Sequence, residues 1–228
     1  MPWVRIKLAA SLDGRTAMAS GESVWITGPQ ARSDVQRLRA RSSAIVTGLG
    51  TIRHDDAALT VRPDELGLPE ASAIAENQPL RVVLDQRAEL SGTEKIFSLG
   101  GDVLYVVGSD AQVPQGIVGN VRVELLRLQT GKDKKLDLKA LLRILAQREC
   151  NEVLVEAGAT LAGGFFGQAL WDELMVYMAP RLLGSNARSL MQLPLDKMDQ
   201  VIDLDLYDQR FIGQDLRLTY RKTEPERG

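Results

Sequence analysis

Short runs of β-branched residues alternate with helical patterns along the 228-residue chain, and this alternation limits the possible folds more than any other feature. Residues 3–9 set Val4, Ile6 and Leu8 against Arg5 and Lys7, the period of a strand. Thr27-Gly-Pro-Gln30 reads as a capping box with a proline in the first turn. It opens a helix to about Arg41, with Ala31, Val35 and Leu38 on one face. Residues 44–47, 80–84, 103–107 and 121–126 read as short strands. Asp137 caps a helix whose apolar stripe is Leu138, Leu141, Leu142 and Leu145. Residues 152–156 form a further strand, followed by glycines and a helix to about Leu170. Residues 174–179 form the next strand, and 201–206 with 216–221 form an antiparallel pair joined through Gly213. A crossover helix returns the chain to the same end of a sheet, so strands separated by helices pair in parallel. The expectation is an α/β fold with a mostly parallel central sheet and an antiparallel C-terminal hairpin. Residues 63–79, with three prolines and no period, read as loop, as does the Lys-rich stretch 130–135. No repeat or linker divides the chain, so residues 1–222 are expected to form one domain and 223–228 a polar tail.

Charge and the scarce residue types exclude several classes of function. Lys and Arg total 28 against 30 Asp and Glu, for a net charge of −2. No surplus of positive charge is available for a phosphate backbone, and three Trp, four Tyr and four Phe are few for a base-stacking platform. Nucleic acid is therefore not expected as a partner. The one cysteine, Cys150, and the one histidine, His54, rule out a disulfide within the chain and a Cys/His zinc site. They also leave little room for Ser-His-Asp chemistry. The adjacent acids Asp55 and Asp56 read as a turn cap, and no metal is expected. The start, Met1-Pro-Trp-Val-Arg-Ile-Lys-Leu, carries Arg5 and Lys7 inside its apolar stretch, unlike a signal or transit peptide. No apolar run approaches the roughly 18 residues of a membrane span, so the cytoplasm is the expected compartment.

Four stretches carry residues suited to chemistry. Two are glycine-rich strand-to-helix junctions, Val46-Thr-Gly-Leu-Gly-Thr51 and Val155-Glu-Ala-Gly-Ala-Thr-Leu-Ala-Gly-Gly164. Glycine lets backbone N–H groups approach a ligand, and a helix N-terminus favours an anion. Two such grips suit the phosphates of a dinucleotide, although neither is a G-x-G-x-x-G fingerprint, and glycines in tight turns would look the same. The third is the polar, glycine-hinged stretch from Ser11-Leu-Asp-Gly-Arg15 to Ser20-Gly-Glu-Ser-Val-Trp-Ile-Thr27, with Trp25 as an exposed aromatic. The fourth is Asp55-Asp-Ala-Ala-Leu-Thr-Val-Arg62.

Together these strings resemble the reductase domain of the bifunctional riboflavin-biosynthesis deaminase/reductase. The matching runs are Lys7-Leu-Ala-Ala-Ser-Leu-Asp-Gly-Arg15, Gly21-Glu-Ser-Val-Trp-Ile-Thr27, Gly48-Leu-Gly-Thr51, Asp55-Asp-Ala-Ala-Leu-Thr-Val-Arg62, Glu156-Ala-Gly-Ala-Thr-Leu-Ala-Gly163 and Ala179-Pro-Arg-Leu-Leu-Gly184. They stand in the family's order and cover nearly the whole chain. The resemblance implies a dihydrofolate-reductase-like fold and a homodimer. It also implies NADPH-dependent reduction of the ribosyl chain of 5-amino-6-(5-phosphoribosylamino)uracil to the ribityl chain.

Carried over residue by residue, it implies that Ala9, Trp25, Thr51, Asp55, Gln86, Gly158, Ala159, Thr160, Leu161, Ala162, Gly163 and Gly164 line the NADPH site. Ser23, Arg39, Leu59, Arg62 and Glu156 would hold the substrate, and Lys7, Glu156 and Asp55 would serve catalysis. Guanidinium forks suit the substrate's phosphate, which fits Arg39 and Arg62. The chain departs from the bifunctional pattern in lacking the Cys/His ligand set of the zinc deaminase, and in carrying Ala57 where the family often has proline. Two other readings compete: a folate- or pterin-type reductase on the same fold, and a non-catalytic nucleotide-binding module.

Overall fold

The computed structural model describes every residue except 24, 132–134 and 223–228. The expected polar tail lies outside the described residues, as does the middle of the Lys-rich stretch. In chain order the elements are β1 (Trp3–Ser11), β2 (Arg15–Ala17), α1 (Pro29–Arg41), β3 (Ala44–Gly48), α2 (Leu49–Asp55), α3 (Pro63–Leu66), α4 (Ala71–Glu76), β4 (Leu80–Leu84), α5 (Lys95–Ser98) and β5 (Val103–Gly108). There follow α6 (Gln115–Val118), β6 (Val123–Leu128), α7 (Leu138–Gln147), β7 (Glu152–Glu156), α8 (Ala159–Gly167), β8 (Glu173–Ala179), β9 (Arg188–Ser189), β10 (Leu204–Ile212) and β11 (Asp215–Lys222). The chain divides into two compact units, residues 1–3 with 33–157 and residues 4–32 with 158 onward.

The first unit is a parallel sheet in the order β7-β3-β4-β5-β6. β3, β4, β5 and β7 are buried on both faces, so Ile45, Val46, Val82, Val83, Leu104 and Val155 leave no exposed surface. That is why they read as continuous apolar runs and not as alternating ones. α7 forms as its sequence demands: the Asp137 carboxylate accepts from the Ala140 N–H at 2.9 Å, and Leu138, Leu141, Leu142 and Leu145 are all buried. From β3 the chain steps to β4, β5 and β6, then returns to β7 on the other side of β3. The strand order thus reverses between β3 and β7. In open α/β sheets, ligands bind outside the carboxyl ends of the strands at such a point.

The second unit holds a mixed sheet in the order β1-β8-β11-β10, parallel between β1 and β8 and antiparallel beyond. β10 and β11 turn at Gly213, whose φ of +67° suits a residue without a Cβ. β1 is more enclosed than its alternation suggests. Val4, Ile6, Leu8 and Ala10 are buried, and Arg5 on the other face is buried too, bonded to Glu173 at 2.5 Å.

Several boundaries move from their expected places. α1 begins at Pro29, with Gly28 before it held by the Asp215 carboxylate at 2.6 Å, so Thr27 is not the cap. β6 starts at Val123 because Asn120 closes a turn on Ile117, leaving Val121 fully exposed. α8 stops at Gly167, where Ala169 adopts φ +53° and the Leu170 N–H returns to the Phe165 carbonyl. β10 begins at Leu204, after a 3₁₀ turn at Met198–Gln200. Residues 63–79 hold the short helices α3 and α4 where loop is expected. Among the described residues no helix is long and apolar enough to cross a membrane.

Candidate functional site

In the first unit the reversal point is marked by a buried ion pair. Glu156 ends β7 and is 8% exposed. Arg39, in the last turn of α1, grips it at two points, Nε to Oε1 at 2.6 Å and Nη2 to Oε2 at 3.1 Å. Its remaining nitrogen, Nη1, donates to the Thr60 carbonyl at 3.1 Å. Burial works against the Arg39 charge, but the Glu156 carboxylate outweighs it and holds the guanidinium pKa above its ordinary value. The expected open phosphate fork at Arg39 is therefore closed on a carboxylate. The two-point pairing fixes the position of the Glu156 carboxylate at the end of β7.

The chain from Asp56 to Arg62 passes this pair without regular structure. Asp56 and Leu59 adopt left-handed φ values of +44° and +54°. For a leucine this conformation costs about 1–2 kcal/mol, so its surroundings must impose it. Leu59 is buried, whereas Arg62 is exposed and pairs with Glu65 at 2.8 Å. The Arg62 N–H donates to Gln36 Oε1 of α1 at 3.0 Å. Arg39, Leu59, Arg62 and Glu156, four residues expected to hold substrate, are thus brought into one bonded region. Asp55 is exposed at the end of α2. The neighbouring acid, Asp56, bonds the Lys95 N–H at 3.0 Å and Nζ at 3.1 Å. Thr51 is half-buried in α2. Gln86 follows β4, and its carbonyl accepts from the Gly108 N–H at 2.9 Å. Beside it Arg87 pairs with Glu89 at 2.8 Å, and Glu89 also holds Arg53 of α2 at 2.9 Å. Arg53 went unread in the sequence because only folding brings it to Glu89.

In the second unit Lys7 and Ala9 are half-buried on the same face of β1. Lys7 Nζ lies 5.9 Å from the ring centroid of buried Tyr177, which stands opposite Ala9 on β8. No sequence signal singled out Tyr177. Ser23 and Trp25 line one cavity of about 320 Å³ with Met18, Glu22, Arg181 and Leu183. Trp25 is 59% exposed; the Arg32 guanidinium lies 4.2 Å from its ring centroid, and Arg181 Nη1 donates to its carbonyl at 2.8 Å. Asp13 braces the Leu183 side of this cavity. It accepts from Ser11 Oγ at 2.5 Å, the Leu183 N–H at 3.1 Å and the Gly184 N–H at 2.8 Å. These bonds, that from Ser11 foremost, hold its carboxyl at a pKa of about 2.

α8 opens at Gly158, which has no side chain to cap the first N–H groups, and a Cβ there would meet nothing within 4 Å. That donor set fits an anionic group such as a dinucleotide's pyrophosphate. Within the helix, Gly163 answers to packing. Ala162 and Gly163 are buried, and a Cβ on Gly163 would stand 2.1 Å from the Gln192 carbonyl oxygen. Thr160 Oγ1 donates to Gln192 Oε1 at 2.8 Å. Gly163 is therefore required by the chain that packs on α8, whatever else binds there. Among the described residues no group of His, Cys, Asp or Glu is placed to hold a metal ion.

The family described as the RibD C-terminal domain matches residues 2–218. The chain belongs to that family. A curated relative, the riboflavin biosynthesis protein RibD of Haemophilus influenzae, is 43% identical over 224 residues, covering 96% of this chain and 58% of that protein. The chain thus spans less than two thirds of that RibD protein. The solved structure of Acinetobacter baumannii RibD superposes with a TM-score of 0.85 at 41% identity, over 98% of this chain and 59% of that one. A Buchnera aphidicola protein named 5-amino-6-(5-phosphoribosylamino)uracil reductase is 32% identical, covering 88% of this chain and 97% of that protein. A dihydrofolate reductase from Enterococcus faecalis shares the fold alone, at a TM-score of 0.50 and 11% identity. The RibD-type chain is α/β and dihydrofolate-reductase-like, as its sequence leads one to expect.

Proposed function

We propose that this chain is an NADPH-dependent enzyme that reduces the ribosyl chain of 5-amino-6-(5-phosphoribosylamino)uracil to the ribityl chain in riboflavin biosynthesis. The observation that carries this reading is the near end-to-end match to the Buchnera protein named for that reduction. The side chains support it chemically. Reduction places a hydride on the sugar carbon C1′, breaks its bond to the ring oxygen and leaves that oxygen needing a proton. NADPH, when bound, supplies the hydride. Lys7 carries the ammonium that donates the proton or stabilises charge on the oxygen. The Glu156 carboxylate, locked by Arg39, accepts from sugar hydroxyls, and Arg62 has the guanidinium for the phosphate.

The roles proposed in the first unit are substrate binding for Arg39, acting through Glu156, and for Leu59, Arg62 and Glu156, with Thr51, Asp55 and Gln86 serving the cofactor. Those in the second unit are catalysis for Lys7, substrate binding for Ser23, and cofactor binding for Ala9, Trp25, Gly158, Ala159, Thr160, Leu161 and Gly164. Ala162 and Gly163 shape α8 beneath them. Gln86 and Arg87 would meet the adenosine 2′-phosphate. A charge-assisted contact of that kind is worth about 1.5–3 kcal/mol, or roughly 10- to 100-fold in kcat/KM for NADPH over NADH. The enzyme works in the cytoplasm as a homodimer joined through β10, the outer strand of its sheet, where Leu206 is 51% and Phe211 78% exposed.

The test is NADPH oxidation by the purified chain with the phosphoribosylaminouracil, with NADH and dihydrofolate as parallel arms. Turnover with NADPH and that substrate is expected. Turnover of dihydrofolate instead would favour the folate reading, and cofactor binding without oxidation would make the chain a nucleotide-binding module.

A further inference from the structure

Residues 58–62 are fixed in place almost wholly by side chains from elsewhere in the first unit. Arg81 of β4 donates to the Ala58 carbonyl at 3.2 Å, one residue before the left-handed Leu59. Arg39 holds the Thr60 carbonyl, one residue after it. Gln78 clamps Val61 from both sides, accepting from its N–H at 2.8 Å and donating to its carbonyl at 3.0 Å. Gln36 takes the Arg62 N–H. A segment with no ladder of its own thus copies the bonding of a strand.

Two further observations show that these ties are built in. Gln78 packs so closely on Gly101 that a Cβ at 101 would stand 2.8 Å from the Gln78 Cβ, so a side chain there would push Gln78 out of place. Arg81 is 1% exposed and makes no ion pair among the described residues. Its guanidinium is spent on carbonyls, those of Ala58, Ile96, Leu99 and Gly101, and burial pushes its pKa down to about 10. A buried cation held only by carbonyl oxygens is a costly device, and here it ties β4 to the loop that carries Leu59.

We propose that Gln36, Gln78 and Arg81 are positioning residues that hold the Ala58–Arg62 segment in the conformation presenting Leu59 and Arg62 to the substrate. The inference rests on the substrate reading above. A leucine held left-handed relaxes when its neighbours are released, and the segment must then be ordered again each time substrate binds. That cost falls on binding and not on the chemical step, so it is read in KM.

Gln78→Met keeps the side chain's length and removes both bonds to Val61. With wild type assayed in parallel, substrate KM should rise about 10-fold, kcat should stay within about threefold, and the NADPH titration should not move. Hydrogen exchange at the Val61 and Arg62 amides should quicken. Gln36→Met, which frees the Arg62 N–H, should shift KM the same way and serves if the first variant does not fold. A folded variant with unmoved KM overturns the positioning role, as does a loss of NADPH affinity in step with KM. A wild-type chain that does not turn over this substrate overturns the underlying reading itself, and the proposal with it.

Discussion

Glu156 and Arg39 show how far a residue's role can be read before its partner is known. A glutamate ending a strand and an arginine ending a helix are both visible in the sequence, and both read as substrate ligands. The fold closes them on each other, at 2.6 Å, with side chains 13% and 9% exposed. Removing one partner strands a buried charge, so Arg39→Ala should lower stability by about 3–5 kcal/mol, beyond any effect on KM. Denaturant midpoints of the two proteins measure this, and an unshifted midpoint would return Arg39 to the role of a phosphate ligand. Lys7 is the converse case. Strand alternation alone places it beside Ala9, and the structure adds Tyr177 as its neighbour. Lys7→Met keeps length and removes charge. We expect kcat to fall by about 100-fold or more while NADPH affinity changes little. Single-turnover hydride transfer with a direct cofactor titration checks it, and near-normal turnover would leave Lys7 a strand residue without a chemical role.

Among the elements, α7 was legible because it carries every local signal at once, a cap at Asp137 and four leucines at helical spacing. Helices of four and six residues between prolines, such as α3 and α4, fall below the length at which a period can be read. β2 and β9 are a short pair whose partners lie far apart in sequence, so no local pattern marks them. α8 shows the same limit in its glycines, which look alike in the sequence and do different work. Gly163→Ala drives a methyl into the Gln192 carbonyl and should destabilise by about 1–3 kcal/mol. Gly158→Ala meets open space and should cost no more than about 1 kcal/mol, while weakening NADPH binding if the N–H groups there hold its phosphates. Unfolding curves and cofactor titrations of the two variants separate these effects, and equal stability losses would refute the distinction.

At the scale of the whole molecule, the proposed homodimer rests on an outer strand that leaves apolar side chains uncovered. Phe211→Glu should turn a dimer into a monomer, measured by sedimentation at micromolar concentration, and a wild-type chain that sediments as a monomer would remove the proposal. The alternation of strands and helices, the parallel pairing it forces and the buried faces of β3, β4, β5 and α7 were determined by the sequence alone. These depend on local propensity and on a hydrophobic period that neighbouring residues carry together. The closing of Arg39 on Glu156, the left-handed Leu59 held between Arg81 and Arg39, and the glycine at 163 were decided only by tertiary structure. Each depends on atoms far apart in the chain that meet only after folding, and no local pattern encodes a distance between them.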